Sequence, residues 1–178
     1  MALMILAHPY FDVSVANKTI IQELQKQDLD LEIRDIHHLY PDYQIDVAAE
    51  QEALLRHDTI ILQYPMFWFS MPAILKYWFD SVFTYQFAYG SKGDKLKNKK
   101  LLPSLTVGQV EGNFYDGEHF LIDDFLRSIQ KSAEYAQMEY LKPICLFGVS
   151  PVEGNTKEEV QTKAAKHSQK LAEIIRGL

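Results

Sequence analysis

Cysteine is nearly absent from this chain of 178 residues, which has only Cys145. One cysteine forms no disulfide within the chain, so the core must hold the fold together. Long apolar runs are also missing, since no segment approaches the ~18 apolar residues that a membrane-spanning helix needs. The apolar start of the chain lacks basic residues and reaches His8 too soon for a secretory signal peptide. These absences predict a cytoplasmic protein.

Basic residues are also fewer than acidic residues. The 18 Lys and Arg residues face 24 Asp and Glu residues, for a formal charge of −6. This balance argues against nucleic acid as a partner. No histidine or cysteine set has the spacing of a zinc site, and no Gly-x-Ser-x-Gly motif indicates a hydrolase, so we expect no metal. The length predicts a single domain over residues 1–178.

Aromatic residues are concentrated in one segment. Half of the 22 aromatic side chains, including both tryptophans, lie between Tyr64 and Tyr89. A core alone would distribute its aromatic side chains more evenly along the chain. The cluster therefore requires a second explanation besides packing.

Apolar runs alternate with amphipathic segments along the whole chain. Strands are predicted at residues 3–7, 30–35, 59–64, 100–107 and 144–149, and helices at 15–24, 48–56, 73–83, 118–137 and 156–176. Strict alternation with apolar strands predicts an α/β fold, a doubly wound five-stranded parallel sheet of order 2-1-3-4-5 between helices. Such sheets bind ligands at the carboxyl ends of their strands, beside the point where the strand order reverses.

The loop after the first predicted strand has the groups of an anion site. Ser14 can cap the next helix, Asn17 adds an amide, and His8 adds a donor that charges more readily beside a phosphate. The absence of glycine excludes a dinucleotide fingerprint and a Walker loop. The alternative is that Ser14 only caps the helix and that His8 is an ordinary turn histidine.

The loops after the third and fourth predicted strands lie at the same edge of the predicted sheet, the one formed by the carboxyl ends of the strands. Prolines 65 and 72 stiffen a turn that presents Trp68 and Phe69, which could stack on a flat ring or form a hydrophobic plug. Gly108 permits close approach of a ligand to the backbone, although a glycine-containing loop before a helix is common. A phosphate site, a stacking turn and a donor loop together match a flavin mononucleotide, FMN.

Several motifs resemble a known family. His8-Pro9 with Ser14-x-Ala16-Asn17, then Pro65-x-x-Trp68-Phe69-x-x-Pro72-Ala73-Ile74-Leu75-Lys76-x-Trp78-Phe79, is similar to flavodoxin-fold NAD(P)H:quinone oxidoreductases. Ancillary flavoproteins of glutathione-regulated potassium-efflux systems resemble the chain at further motifs: Ala7-His8-Pro9-Tyr10, Leu39-Tyr40-Pro41-Asp42, Ile45-Asp46-x-Ala48-Ala49-Glu50-Gln51-Glu52-Ala53-Leu54 and Ala88-Tyr89-Gly90. The similarity extends over nearly the whole chain.

The resemblance implies roles for individual residues. Those that would hold the flavin phosphate and ribityl chain are His8, Ser14, Ala16 and Asn17. Those that would contact the isoalloxazine are Pro65, Met66, Phe67, Trp68 and Phe69. Thr106 and Gly108 would place backbone groups at the pyrimidine edge, Gln109 stands where the family has glycine, and Tyr115 with His119 would form the catalytic pair.

The same resemblance implies an activity and partners. The expected reaction is a two-electron, ping-pong transfer of hydride from NAD(P)H through FMN to a quinone. FMN is favoured over FAD, and a homodimer is expected to complete the flavin site. Two alternatives stay open: a regulatory flavoprotein that docks on the cytosolic domain of a potassium-efflux transporter, and a flavodoxin-like electron carrier.

Overall fold

The computed structural model describes residues 1–117 and 119–177, without the side chains of residues 119 and 151. The strands are β1 (Ala2–Leu6), β2 (Leu31–Asp35), β3 (Thr59–Pro65), β4 (Lys100–Thr106), β5 (Tyr115–Asp116), β6 (His119–Phe120), β7 (Glu139–Tyr140) and β8 (Ile144–Leu146). The main sheet is parallel with the order β2-β1-β3-β4, and β7 and β8 both pair with the outer side of β4. The predicted doubly wound order is confirmed.

The helices are α1 (Val15–Gln25), α2 (Ile36–Leu39), α3 (Val47–Arg56), α4 (Ala73–Val82), α5 (Leu121–Tyr135) and α6 (Lys157–Gly177). Side chains alternate between the two faces of a strand. Leu3 and Ile5 of β1 therefore join a core with α3, α4 and α5, whereas Met4 and Leu6 join a second core with α1 and α6. The sheet thus lies between two helical layers. Among the described helices, none has the length and apolarity to cross a bilayer.

The last strand of the sheet is divided in two. β7 pairs with Leu101 and β8 begins opposite Ser104, so the interruption lies beside Pro103 of β4. Pro143 lies in the same gap. Proline has no N–H to donate to a neighbouring strand, which accounts for the break. The prediction of a strand over 144–149 missed β7 and extended past the end of β8 at Leu146.

The segment before α5 also differs from its prediction. The helix was expected from residue 118 but begins at Leu121, and the preceding residues form an antiparallel hairpin in which Tyr115 pairs with Phe120. Gly117 has a φ of +65° in the turn. Glycine adopts this left-handed conformation without steric cost, which favours a turn over a first helical residue here.

A buried carboxylate ties α3 to its neighbours. Glu50 has no exposed surface, and its Oε1 accepts hydrogen bonds from Arg34 Nε at 2.9 Å and Nη2 at 2.6 Å. The Tyr40 hydroxyl also donates to Oε1, at 2.7 Å, and the Trp78 indole donates to Oε2 at 2.9 Å. Four donors from β2, α4 and the residue after α2 therefore converge on one side chain of α3.

Candidate functional site

A cavity lies at the carboxyl ends of β1, β3 and β4, where the strand order reverses. Its volume of about 470 Å³ is within the range of small-molecule sites. Nine of the predicted site residues line it: His8, Ser14, Ala16, Asn17, Pro65, Met66, Phe67, Thr106 and Gly108. The structure thus brings together residues from three loops that are far apart in the sequence.

A smaller depression of about 230 Å³ adjoins this cavity and shares Met66 and Gly108 with it. Trp68, Phe69 and Gln109 line the depression. Gln109 thus lines the neighbouring depression and is absent from the lining of the main cavity.

The turn that carries Trp68 is a tight hairpin. Phe67 and Ser70 exchange two backbone hydrogen bonds of 3.0 Å, and Trp68 and Phe69 between them have positive φ angles of 48° and 61°. Non-glycine residues rarely adopt this conformation, so the turn stores local strain. Trp68 is 94% exposed and Phe69 is 48% exposed. The exposure of Trp68 argues against a hydrophobic plug at that residue, whereas the Phe69 ring packs against Phe125 with ring centroids 5.2 Å apart. Both residues line the depression beside the cavity.

Ser14 both caps α1 and lines the cavity. Its Oγ accepts the backbone N–H of Asn17 at 3.2 Å. The free amide groups and the positive dipole end of α1 are therefore close to the cavity, as anion binding requires. The two interpretations of Ser14, as a cap and as a cavity residue, hold together.

A hydrogen-bonded set of side chains, here called the polar relay, extends from the half-buried Ser14 at the cavity into the protein. It consists of Ser14, Thr106, Asn17, Gln63, Ser104 and His167. Gln63 and Ser104 have no exposed surface, and His167 is 6% exposed. Sequence reasoning missed the last three residues, although a glutamine and a serine inside two apolar strands are an available signal.

His8 is neutral in this structure. Its Nδ1 accepts the backbone N–H of Tyr10 at 3.0 Å, so the ring proton is on Nε2. Burial, assisted by the neighbouring His37, lowers the pKa of His8 to about 4. The expectation that His8 charges more readily beside a phosphate concerns the anion-bound protein and stays a prediction. The ring still offers a neutral N–H donor.

One wall of the cavity was not predicted. The loop after β8 and the start of α6 form this wall, through Val149, Ser150, Asn155, Thr156 and Lys157. The polar cluster of Ser, Asn and Thr after the last strand was the available signal. This wall approaches Gly108, since a Cβ on Gly108 would be 3.4 Å from the Cβ of Ser150.

Tyr115 of the proposed catalytic pair lies outside the lining of both cavities. Tyr115 is 51% exposed and stacks on Phe120, with ring centroids 4.8 Å apart. It contributes to the lining of neither cavity. The side chain of His119 lies outside the described residues. A catalytic role for this pair stays a prediction.

Two buried histidines predict a loss of stability in mild acid. Burial lowers the pKa values of His8 and His167 from 6.5 to about 4. At pH values between 6.5 and about 4, the unfolded chain binds protons at these histidines that the folded chain does not bind. The free energy of unfolding therefore falls as the pH falls. At pH 5 we expect a loss of about 2 kcal/mol from His167 and less from His8, which water in the cavity screens.

Urea unfolding of the cofactor-free chain at pH 7.5 and pH 5 measures this effect. The variant His167→Gln, which has one buried histidine fewer, should lose less stability over the same interval. An unfolding free energy that is unchanged between these pH values would contradict the prediction.

Comparisons with known proteins agree with this architecture. The sequence model of the flavodoxin-like fold family matches residues 2–171. The glutathione-regulated potassium-efflux system ancillary protein KefF of Enterobacter sp. (strain 638) is 39% identical over 171 residues, which cover 96% of this chain and 95% of that protein.

Solved structures are similar over almost their full length. General stress protein 14 of Treponema denticola, in complex with FMN, has a TM-score of 0.86 and 30% identity, with 98% of each chain covered. An NADPH-quinone reductase from P. pentosaceus has a TM-score of 0.79 and 26% identity, with 95% of this chain and 96% of that chain covered. The chain therefore belongs to the flavodoxin-like fold family, together with the KefF ancillary proteins.

Proposed function

We propose that this protein is an FMN-dependent NAD(P)H:quinone oxidoreductase. The observation that carries the proposal is the cavity at the carboxyl ends of β1, β3 and β4, which nine residues of the predicted flavin site line. The FMN in the structure of general stress protein 14 and the quinone reductase among the similar structures support it. Bound FMN would supply hydride acceptance from the nicotinamide and hydride donation to the quinone.

The residues present fit a phosphorylated, ring-bearing ligand. Ser14 and the amide groups of α1 offer hydrogen-bond donors and a positive dipole end to a phosphate. Gly108 leaves open the narrow space beside Ser150 that a side chain would fill. The exposed rings of Trp68 and Phe69 lie at the adjoining depression, where they could contact the edge of a flat ring.

The role of the chain is to bind and orient. His8 would donate its Nε2–H as a neutral group, because burial keeps its pKa near 4. The two prolines that flank the Trp68 turn would hold that turn in place. Tyr115 and His119 belong to a short hairpin outside the cavity, so a catalytic role for them requires this hairpin or a second chain to bring them to the flavin.

Anaerobic double-mixing with the FMN-loaded protein tests the proposal. NADPH, and NADH in a parallel experiment, should bleach the visible absorbance of the bound flavin. A quinone added in the second mixing step should restore it, because a ping-pong cycle requires both half-reactions. A bound flavin that neither nicotinamide bleaches would overturn the enzyme proposal and favour a one-electron carrier.

A homodimer is part of the proposal. Trp68, Tyr85, Tyr115 and Tyr135 are each more than half exposed. Aromatic side chains are enriched at protein interfaces. Of these four, Trp68 lines the depression beside the cavity, so a partner chain that covers Trp68 would enclose this side of the site and could supply the missing groups.

A regulatory role is the second candidate. The name of the KefF relatives, which are about 40% identical, describes an ancillary protein of a potassium-efflux system. On this proposal the chain docks on the cytosolic side of such a transporter, with or without enzymatic turnover. Co-purification with a potassium-efflux transporter would support docking, and the double-mixing experiment decides the enzymatic activity separately.

A further inference from the structure

The polar relay connects the cavity with a histidine on α6. His167 Nε2 is 2.8 Å from Ser104 Oγ, which donates to Gln63 Oε1 at 2.6 Å. Gln63 Nε2 in turn donates to Asn17 Oδ1 at 2.9 Å. The relay lies between the sheet and the layer that α1 and α6 form.

The direction at the inner end follows from the single proton of a serine. The amide oxygen of Gln63 can only accept a hydrogen bond, so Ser104 donates its single hydroxyl proton to that oxygen. Ser104 must then accept from His167. With the Gln63 amide in the orientation of this structure, whose oxygen faces Ser104, the ring proton of His167 is on Nε2.

The direction at the cavity end follows from the amide of Asn17. Its nitrogen donates to Thr106 Oγ1 at 2.9 Å and to Ser14 Oγ at 3.4 Å. Both hydroxyls accept from Asn17, and neither donates to another described group. Both side chains line the cavity. Their protons are therefore available to a ligand in the cavity.

The opposite order is chemically consistent as well. A ring proton on Nδ1 of His167 would make Nε2 an acceptor for Ser104, and the amides of Gln63 and Asn17 would then turn over. Thr106 would donate to the Asn17 oxygen and present only an acceptor to the cavity. Burial lowers the pKa of His167 to about 4, so at neutral pH the ring carries one proton and its tautomer matters.

We propose that His167 is a positioning residue whose Nε2–H tautomer orients the Ser14 and Thr106 hydroxyls as donors toward an anionic ligand in the cavity. The ligand class is a phosphate monoester, because its dianion, the main form at neutral pH, has only hydrogen-bond acceptors. The proposal rests on the proposed function only in the choice of FMN as the probe.

The tautomer can be measured without any ligand. In the ¹⁵N-histidine-labelled protein at neutral pH, the nitrogen chemical shifts of His167 should show a protonated Nε2 and an unprotonated Nδ1. A proton on Nδ1 would overturn the proposal. This measurement uses the unchanged chain, so it does not depend on the folding of a variant.

Ligand titrations test the consequence for the cavity. The variants His167→Leu and Ser104→Ala should bind FMN about tenfold more weakly, the value of one hydrogen bond to a charged group. Their affinity for riboflavin, which lacks the phosphate, should change less than about twofold. His167→Gln, which keeps an N–H near the Nε2 position, should restore most of the FMN affinity.

Ser168→Ala is the matched control. Ser168 is 1% exposed and its hydroxyl donates to Ala165 O of the same helix, outside the polar relay. Its removal should leave FMN affinity unchanged. Equal losses of FMN and riboflavin affinity in His167→Leu would overturn the proposal. If the protein without substitutions binds neither FMN nor riboflavin, the proposed function is overturned instead. The measured tautomer of His167 would still test the direction of donation in the polar relay.

Discussion

Replacing Glu50 with glutamine is expected to lower the free energy of unfolding by about 3–5 kcal/mol, the cost of breaking a buried ion pair from one side. The Glu50 carboxylate has no exposed surface and accepts from Arg34, Tyr40 and Trp78. An amide carries no charge to balance Arg34 and offers only one oxygen to these donors. Urea unfolding at neutral pH measures the change.

Glu52 provides the matched control on the same helix. Its side chain is 73% exposed, and it forms an i,i+4 pair with Arg56 at 3.1 Å. Exposed pairs of this kind contribute about 0.3–0.5 kcal/mol. Glu52→Gln should therefore be nearly neutral. A Glu50→Gln variant as stable as Glu52→Gln would show that the buried carboxylate does not hold α3, β2 and α4 together.

Replacing Gly108 with phenylalanine is expected to weaken FMN binding by about 100-fold or more, an effect of roughly 3 kcal/mol. Gly108 borders both cavities, and its Cβ would be 3.4 Å from the Cβ of Ser150. A phenyl ring at this position must occupy the space that the flavin requires. Because the φ of Gly108 is outside the left-handed region, the backbone accepts a side chain without strain.

Gly112 allows the same substitution in the same loop. A Cβ at this position meets no atom within 4 Å. Gly112→Phe should bind FMN as the unchanged protein does. Equal affinities in Gly108→Phe and in the unchanged protein would place the flavin elsewhere.

Much of the architecture could be predicted from the chain. The apolar strands and the helical periodicity gave the sheet order, since parallel strands joined by helices have few arrangements. Ser14 marked the start of α1 correctly. The loops after β1, β3 and β4 meet in one cavity because the carboxyl ends of parallel strands share an edge.

The remainder depends on contacts between distant residues. The burial of Glu50 cannot be inferred from a helix rich in Ala, Glu and Leu, because its four donors come from other elements. The partners of His167 are similarly separated in the chain. The break between β7 and β8 depends on the register that places the gap beside Pro103, and this register is set by pairing between distant residues.

The aromatic segment illustrates the same distinction. Trp78 is fully buried and donates to Glu50, whereas Trp68 is 94% exposed beside the cavity. Tyr64 is buried in β3, and Tyr85 is 63% exposed. One dense stretch of aromatic residues thus supplies the core, the rim of the cavity and an open surface. Composition indicated that core packing alone does not explain this cluster of aromatic residues. The fold shows which of the rings are buried and which are exposed.

The most direct test of the account is an equilibrium titration of the cofactor-free chain with FMN. The account predicts saturable binding of one FMN per chain, with strong changes in flavin fluorescence as the ring leaves water. Gly108→Phe should abolish most of this binding, and Gly112→Phe should preserve it. An unchanged, folded protein that shows no saturable binding of FMN would contradict the assignment of the cavity at the strand ends as a flavin site.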